Sequence, residues 1–269
     1  MLIDTHCHLD AAEFDPDRAE VVRAAQHCGV AGMVFPAVSP ANFTSVRALA
    51  WAVPGGAYAL GIHPLAVAGV ADDALAALRA ALQQHQDDPR LVAVGEIGLD
   101  RFVPAAVEGQ GWDRQWRFYQ AQLQLAGEFG LPVLLHVRRA ADWIAKGLRH
   151  VGRTGGIAHA FNGSRQQADR LIELGLALGV GGAMTFPRAL QIRRLAAELP
   201  LAHLVLETDA PDIPPAWLWQ APRRNTPAQV AGVAQALAEL RQVPVAQVIA
   251  ATGASAVAHL PRLARCLAG

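Results

Sequence analysis

The chain has 269 residues, 52% of them hydrophobic and 17% charged, with a formal net charge of +0. Such a balance excludes a disordered chain, which lacks the apolar residues for a core. It also excludes a generally basic nucleic-acid coat, so any polynucleotide must be held by a local patch. No apolar stretch approaches the roughly 20 residues that span a bilayer, and no basic-then-apolar export signal is visible. Three scattered cysteines, Cys7, Cys28 and Cys266, make no disulfide framework. The expectation is a cytoplasmic protein with no membrane association.

The first element is a strand over residues 2–5, opening the segment MLIDTHCHLD. Alternation on a strand places Asp4, His6 and His8 on one side and Cys7 on the other. The two imidazoles, about 7 Å apart along the chain, can converge on one divalent cation. A pair of hydrogen-bonded histidines beside a turn explains the same pattern equally well in isolation.

Further short β-branched or apolar runs follow at 31–35, 57–61, 91–95, 132–135, 156–158, 176–180 and 203–206. Helical periodicity fills 17–28, 72–86, 112–129, 165–174 and 187–199, and two more helices close the chain at 227–241 and 245–258. Eight strands alternating with helices over this length predict an α/β fold, a single-domain (β/α)8 TIM barrel spanning residues 1–269. The competing open doubly wound sheet normally carries a glycine fingerprint after its first strand, and HCHLDAAEF has none.

In a barrel the C-terminal strand ends surround one mouth, where active sites lie. Five of the ten histidines, His6, His8, His63, His136 and His159, fall on such ends, with Glu96, Glu207 and Asp209. One histidine after a strand is usually structural, and one carboxylate is often a helix cap. Their joint placement argues otherwise, since gathering so many ionisable groups without a cation is costly.

Six ligands, His6, His8, Glu96, His136, His159 and Asp209, exceed what one tetrahedral ion needs and suit two divalent ions, Zn, Mn or Mg. His6, His8 and Asp209 are assigned to one ion and His136 with His159 to the other. Glu96 is the bridge, because one carboxylate offers an oxygen to each. The single lysine, Lys146, falls within a helix after the fifth strand, so neither a carboxylated-lysine bridge nor Schiff-base chemistry is available.

Other polar residues receive weaker assignments. Glu207 shares strand parity with Asp209 and should point inward one step deeper, as a proton acceptor or a positioning carboxylate. His63, held by Pro64, is read as a group that binds or protonates a leaving group, against the alternative of a turn residue. Arg138 shares parity with His136 and is placed on a substrate phosphate, against the alternative of a rim ion pair.

The segments IDTHCHLD, GIHP, VAVGEIGLD, LLHVRRA, HAFNGS and LETDAP together resemble the TatD family of metal-dependent deoxyribonucleases, within the amidohydrolase superfamily and nearest its YjjV-like branch. The likeness runs in order from residue 2 to about residue 227. It implies a distorted (β/α)8 barrel holding two divalent ions on the six residues above, and a phosphodiesterase that trims DNA ends in the 3′ to 5′ direction. Many relatives carry Arg-Asn-Glu-Pro before the late helix, where this chain has Arg224-Asn225-Thr226-Pro227, so substrate preference does not transfer.

The expected chemistry is attack on phosphorus by a hydroxide activated between two metals, with Asp209 or Glu207 taking the proton and His63 assisting departure. The expected partners are nucleic-acid ends or a small phosphodiester, met by a monomer with Arg138, Arg139, Arg165, Arg223 and Arg224 around the rim. An amidase, deacylase or lactonase would use the same ligands, and a non-catalytic metal protein is the third alternative.

Overall fold

In the computed structural model, described for residues 1–152, 155–219 and 224–267, eight parallel strands follow one another around a single sheet in chain order. They are β1 (Leu2–Asp4), β2 (Val30–Pro36), β3 (Gly56–Leu60), β4 (Leu91–Asp100), β5 (Val133–Arg138), β6 (Gly156–His159), β7 (Leu176–Val180) and β8 (Leu204–Leu206). The α-helices are α1 (Arg18–His27), α2 (Phe43–Ala52), α3 (Ala74–Gln84), α4 (Gly111–Glu128), α5 (Ala141–Val151), α6 (Arg165–Glu173) and α7 (Leu190–Glu198). After β8 come α8 (Val230–Arg241), α9 (Val245–His259) and α10 (Leu263–Leu267). This is a (β/α)8 barrel.

Two apolar layers follow from strand alternation. Side chains facing the barrel axis are small or β-branched, among them Val34, Ala57, Ala59, Ala93, Ile157 and Val205. Ala256, Leu260, Leu263 and Cys266 of the last two helices join that inner cluster. The other strand faces meet the surrounding helices in a larger layer that includes Phe35, Tyr58, Phe118, Tyr119 and Leu123. Packing at the axis therefore involves α9 and α10, while the polar strand ends gather at the opposite, C-terminal rim.

β4 and β5 run further than their apolar stretches suggest, to Asp100 and Arg138 rather than 95 and 135. Their ladder continues through Gly98 with His136 and Asp100 with Arg138, so polar residues occupy the last rungs. Gly98 adopts φ +142°, and a Cβ there would collide with the His136 carbonyl. The helix Phe43–Ala52 escaped the sequence reading because it buries only Val46 and Ala50, too narrow a stripe for a clear period. The short Leu263–Leu267 helix was missed as well. The helix expected from 187 begins at Leu190, and a 3-10 turn at Pro227–Gln229 precedes α8.

β1 and β8 close the barrel through irregular contacts. Thr5 N–H donates to the Leu206 carbonyl at 3.0 Å and Asp209 N–H to the His6 carbonyl at 2.9 Å. The fully buried Asp4 carboxylate accepts from the Thr208 N–H at 3.0 Å, the Thr208 hydroxyl at 2.6 Å and the His6 N–H at 3.3 Å. Burial pushes the Asp4 carboxyl up to about 7 against the pull of these bonds. One buried clasp thus orients the backbone on which both His6 and Asp209 ride.

Replacing Thr208 by Val removes the hydroxyl donor from a buried carboxylate and should cost about 2 kcal/mol of stability. Urea unfolding of Thr208→Val beside Thr208→Ser checks this. Equal midpoints for the two variants and the parent would remove the clasp from any account of barrel closure.

Candidate metal centre

The chain beyond β1 stays extended, with Cys7 N–H donating to the Val34 carbonyl at 3.1 Å and His8 N–H to the Ala210 carbonyl at 2.7 Å. His6 and His8 consequently face the mouth. Cys7 is buried in the outer apolar layer, its thiol donating to the Val34 carbonyl at 3.9 Å. It joins none of the three groups of donor atoms that converge: His6 with His8 and Asp209, His6 with Glu96 and His159, and His63 with Glu96 and His136.

Glu96 is common to two of these groups, and its two oxygens divide the imidazoles. Oε2 lies 3.1 Å from His6 Nε2 and 3.4 Å from His8 Nε2. Oε1 lies 2.9 Å from His159 Nε2, 3.0 Å from His136 Nδ1 and 3.2 Å from His63 Nε2. The carboxylate is buried, with its own N–H donating to the Ala37 carbonyl at 3.0 Å. Burial alone would raise its pKa, but the imidazoles of His63, His159 and His6 hold it well below the carboxylate range.

Asp209 sits in the left-handed region at φ +57° just beyond β8, where its carboxylate turns back over the mouth. Its Oδ1 is 3.6 Å from both His6 Nε2 and His8 Nε2, and those two nitrogens are 3.3 Å apart. A single Nε2 proton serves one such contact and leaves the others unmet. Tetrahedral ligands at 2.0–2.2 Å from a cation stand about 3.3–3.6 Å from each other, close to these separations. Burial, then the neighbouring His159, brings His6 down to about 3, so it presents a neutral lone pair, the form that binds cations. The donor set fits divalent metal ions.

On the other side, Asp100 fixes His136. Its Oδ2 is 3.0 Å from His136 Nε2, and its Oδ1 accepts from the N–H groups of Phe102 at 2.7 Å and Val103 at 3.0 Å. Burial opposes ionisation, yet the His136 hydrogen bond and those backbone donors bring the Asp100 carboxyl down to about 2. The ionised carboxylate accepts the hydrogen bond from Nε2–H and leaves the Nδ1 lone pair facing Glu96, an orientation characteristic of metal-binding histidines. Asp100 was overlooked in the sequence, although it shares parity with Glu96. It closes the VAVGEIGLD segment, but nothing local shows that its partner is His136 on the neighbouring strand.

His63 approaches the cluster more closely than its turn position suggests, with Nε2 3.1 Å from His136 Nδ1. Its Nδ1 accepts the Leu65 N–H at 3.1 Å, so the neutral ring carries its proton on Nε2, aimed at Glu96. Two buried glutamines on one face of α4 hold the strand ends. Gln122 pairs through both side-chain atoms with the Ile62 backbone, and Gln115 does the same with Asp100. Neither was singled out in the sequence, where a helical glutamine is ordinarily a surface residue.

Glu207 is buried behind His159, accepting the Ala160 N–H and standing 3.8 Å from His159 Nδ1. A Cβ at Gly179 would occupy the space its Oε2 fills. Burial raises its carboxyl to about 8. Asn225 is buried as well, donating to the carbonyls of Thr208 at 2.8 Å and Asp212 at 2.9 Å, and so braces the loop that carries Asp209. Thr226 only begins the following 3-10 turn.

The rim arginines separate into two kinds. Arg165 is paired with Asp169 at 2.8 Å, and Arg224 forms a forked pair with Asp17 at 2.8 and 2.6 Å, so both are committed to carboxylates rather than free for phosphate. Arg138 and Arg139 instead lie over the Phe102 ring at 3.9 and 4.7 Å. Arg223 lies outside the described residues.

Residues 3–259 match the family model described as TatD related DNase. The uncharacterized metal-dependent hydrolase YjjV of Escherichia coli strain K12 is 42% identical over 247 residues, covering 91% of this chain and 92% of that protein. A protein of Rahnella sp. named 3′-5′ ssDNA/RNA exonuclease TatD is 34% identical over 230 residues, covering 82% of this chain and 83% of its own. The crystal structure of YjjV superposes with a TM-score of 0.89 at 39% identity, covering 97% of this chain and 98% of that one.

Replacing Asp100 by Asn should leave the barrel folded and weaken metal retention about 10- to 100-fold, because His136 loses the partner that sets its tautomer. Competition with a chromophoric chelator measures this. Unaltered retention would detach Asp100 from the metal centre.

Proposed function

The chain belongs to the TatD-related DNase family and is a metal-dependent hydrolase, and on that basis we propose that it is a two-metal 3′-5′ exonuclease acting on single-stranded nucleic-acid ends. The observation that carries this reading is the division of the imidazoles between the two oxygens of Glu96. His6, His8 and Asp209 would hold one cation and His136 with His159 the other, with Glu96 giving an oxygen to each. When bound, such a pair supplies charge stabilisation for the phosphoryl oxygens and a water that ionises near neutral pH. The direction of digestion rests on relatives that carry the name 3′-5′ ssDNA/RNA exonuclease.

The chain's own groups divide the remaining work. Asp209, partly open to the mouth with a side-chain exposure of 14%, takes the proton from the attacking water. Glu207 has no such access and serves by positioning His159 from behind. His63, with its proton held on Nε2 by the Leu65 contact, donates to the departing sugar oxygen. Arg138, free of carboxylate partners among the described residues, receives the phosphate beside Phe102.

The rival reading, an acyl-bond hydrolase on the same ligands, is separated by substrate. Metal-loaded protein should shorten single-stranded DNA from its 3′ end and cleave bis(p-nitrophenyl) phosphate while leaving p-nitrophenyl acyl esters intact; the reverse preference overturns the nuclease. Elemental analysis should find two metal ions per chain. His63→Ala should keep that metal content and lose about 100-fold in kcat, and a variant as fast as the parent would remove His63 from the reaction.

A further inference from the structure

Outside the mouth, one face of the barrel combines unpaired cations with aromatic rings. It starts at the metal centre, where Asp100 supports His136 and lies opposite Arg138 in the β4–β5 ladder. Arg138 and Arg139 cover Phe102, which is 44% exposed. The residue before Phe102, Arg101, donates its N–H to the Arg138 carbonyl at 2.9 Å and lies over the Trp112 ring at 5.1 Å.

Trp112 opens α4 and Trp143 opens α5, so both stand at the mouth end of their helices. Their ring centroids are 5.4 Å apart, and Trp143 in turn lies 5.6 Å from Trp116, one turn further down α4. Lys146, the sole lysine of the chain, sits over Trp143 at 4.7 Å and Trp116 at 5.6 Å. Beyond it, Trp116, Gln120, Lys146, Arg149 and His150 line a cavity of about 500 Å³.

The charge on this face is not internally neutralised. Among the described residues, Arg101, Arg138, Arg139, Lys146 and Arg149 are exposed and form no ion pair, whereas most other arginines bond to carboxylates or carbonyls. Asp142, in the first turn of α5, is held by Arg170 at 2.8 Å. Asp113, in the first turn of α4, is exposed without an ion pair among the described residues, leaving the five cations in excess. In a chain of net charge +0 this is a local basic strip. Exposed cations beside the exposed Phe102 ring and the half-buried Trp112, Trp116 and Trp143 are what a single-stranded polynucleotide recognises, through phosphate contacts and base stacking.

We propose that the α4–α5 face is a binding track for the single-stranded tail of the substrate, leading from the mouth past Phe102, Trp112 and Trp143 to the Lys146–Arg149 cavity. The track deepens the nuclease reading and rests on it for the identity of the ligand. It predicts that affinity grows with strand length beyond the few nucleotides the mouth accommodates. It also predicts that bound bases perturb the tryptophans.

The test uses Mn²⁺-loaded protein and fluorescent oligothymidylates protected throughout by phosphorothioate linkages, a trinucleotide against a strand of about 15 residues. The longer strand should bind at least about tenfold more tightly and quench tryptophan emission, through added phosphate contacts and stacking. In Lys146→Glu/Arg149→Glu the length advantage should vanish, and the slope of log affinity against log salt should fall by about 1.4, the share of two phosphate contacts. The control Arg194→Glu/Arg265→Glu makes the same charge change at exposed, unpaired arginines on α7 and α10 and should keep the advantage. Equal affinities for the two lengths, equal losses in both double variants, or tight binding without quenching would each overturn the track. Cleavage is not read, so a failed track leaves the nuclease reading standing, and a protein that never cleaved DNA would still report on the track.

Discussion

Everything at the mouth is arranged around one buried carboxylate. Glu96 lies among five imidazoles, each within 3.4 Å of one of its oxygens. A carboxylate so buried stays ionised only beside positive charge, supplied by protonated imidazoles in the metal-free chain or by cations held in their place. The cluster is coherent with cations between its members, and without them it would be an expensive accumulation of desolvated polar atoms. That requirement explains why four strand ends, β1, β4, β5 and β6, run into polar residues where neighbouring positions are apolar.

The candidate ligands are kept in place by a second set of polar residues that do not reach the centre. Asp100 sets the tautomer of His136, while Asp4 and Thr208 tie the backbone of His6 to that of Asp209. Gln115 and Gln122 satisfy the backbone of Asp100 and Ile62, where the strands end and ladder partners run out. Asn225 does the same for the loop after β8. Each sits in a region where an unpaired N–H or carbonyl would be costly, so bracing the site and satisfying the backbone are accomplished by the same bonds.

The distribution of arginine partners gives the neutral surface a direction. Arg165 and Arg224 are neutralised by carboxylates, while the cations on the β4–β5 side rest on aromatic rings and keep their outward charge. A ring face attracts a cation without cancelling it. Among the described residues, Arg101, Arg138, Arg139, Lys146 and Arg149 therefore keep their charge side by side along one flank of the mouth, whereas other unpaired arginines, such as Arg194 and Arg265, lie on other helices.

Much of this was legible in the residues alone. Strand periodicity marks all eight strands, and the rule that barrel strands end at a common rim gathers His6, His8, Glu96, His136, His159 and Asp209 into one candidate set. Alternation and barrel closure are geometric and need only local sequence. Tertiary structure alone decided which Glu96 oxygen meets which imidazole, that His136 turns Nε2 to Asp100, that Glu207 stands behind His159, and that Arg224 reaches Asp17. Each depends on the distance between residues far apart in the chain. Parity says which side of a strand a residue occupies, but not how far along the axis its partner stands, and only the packed barrel supplies that length.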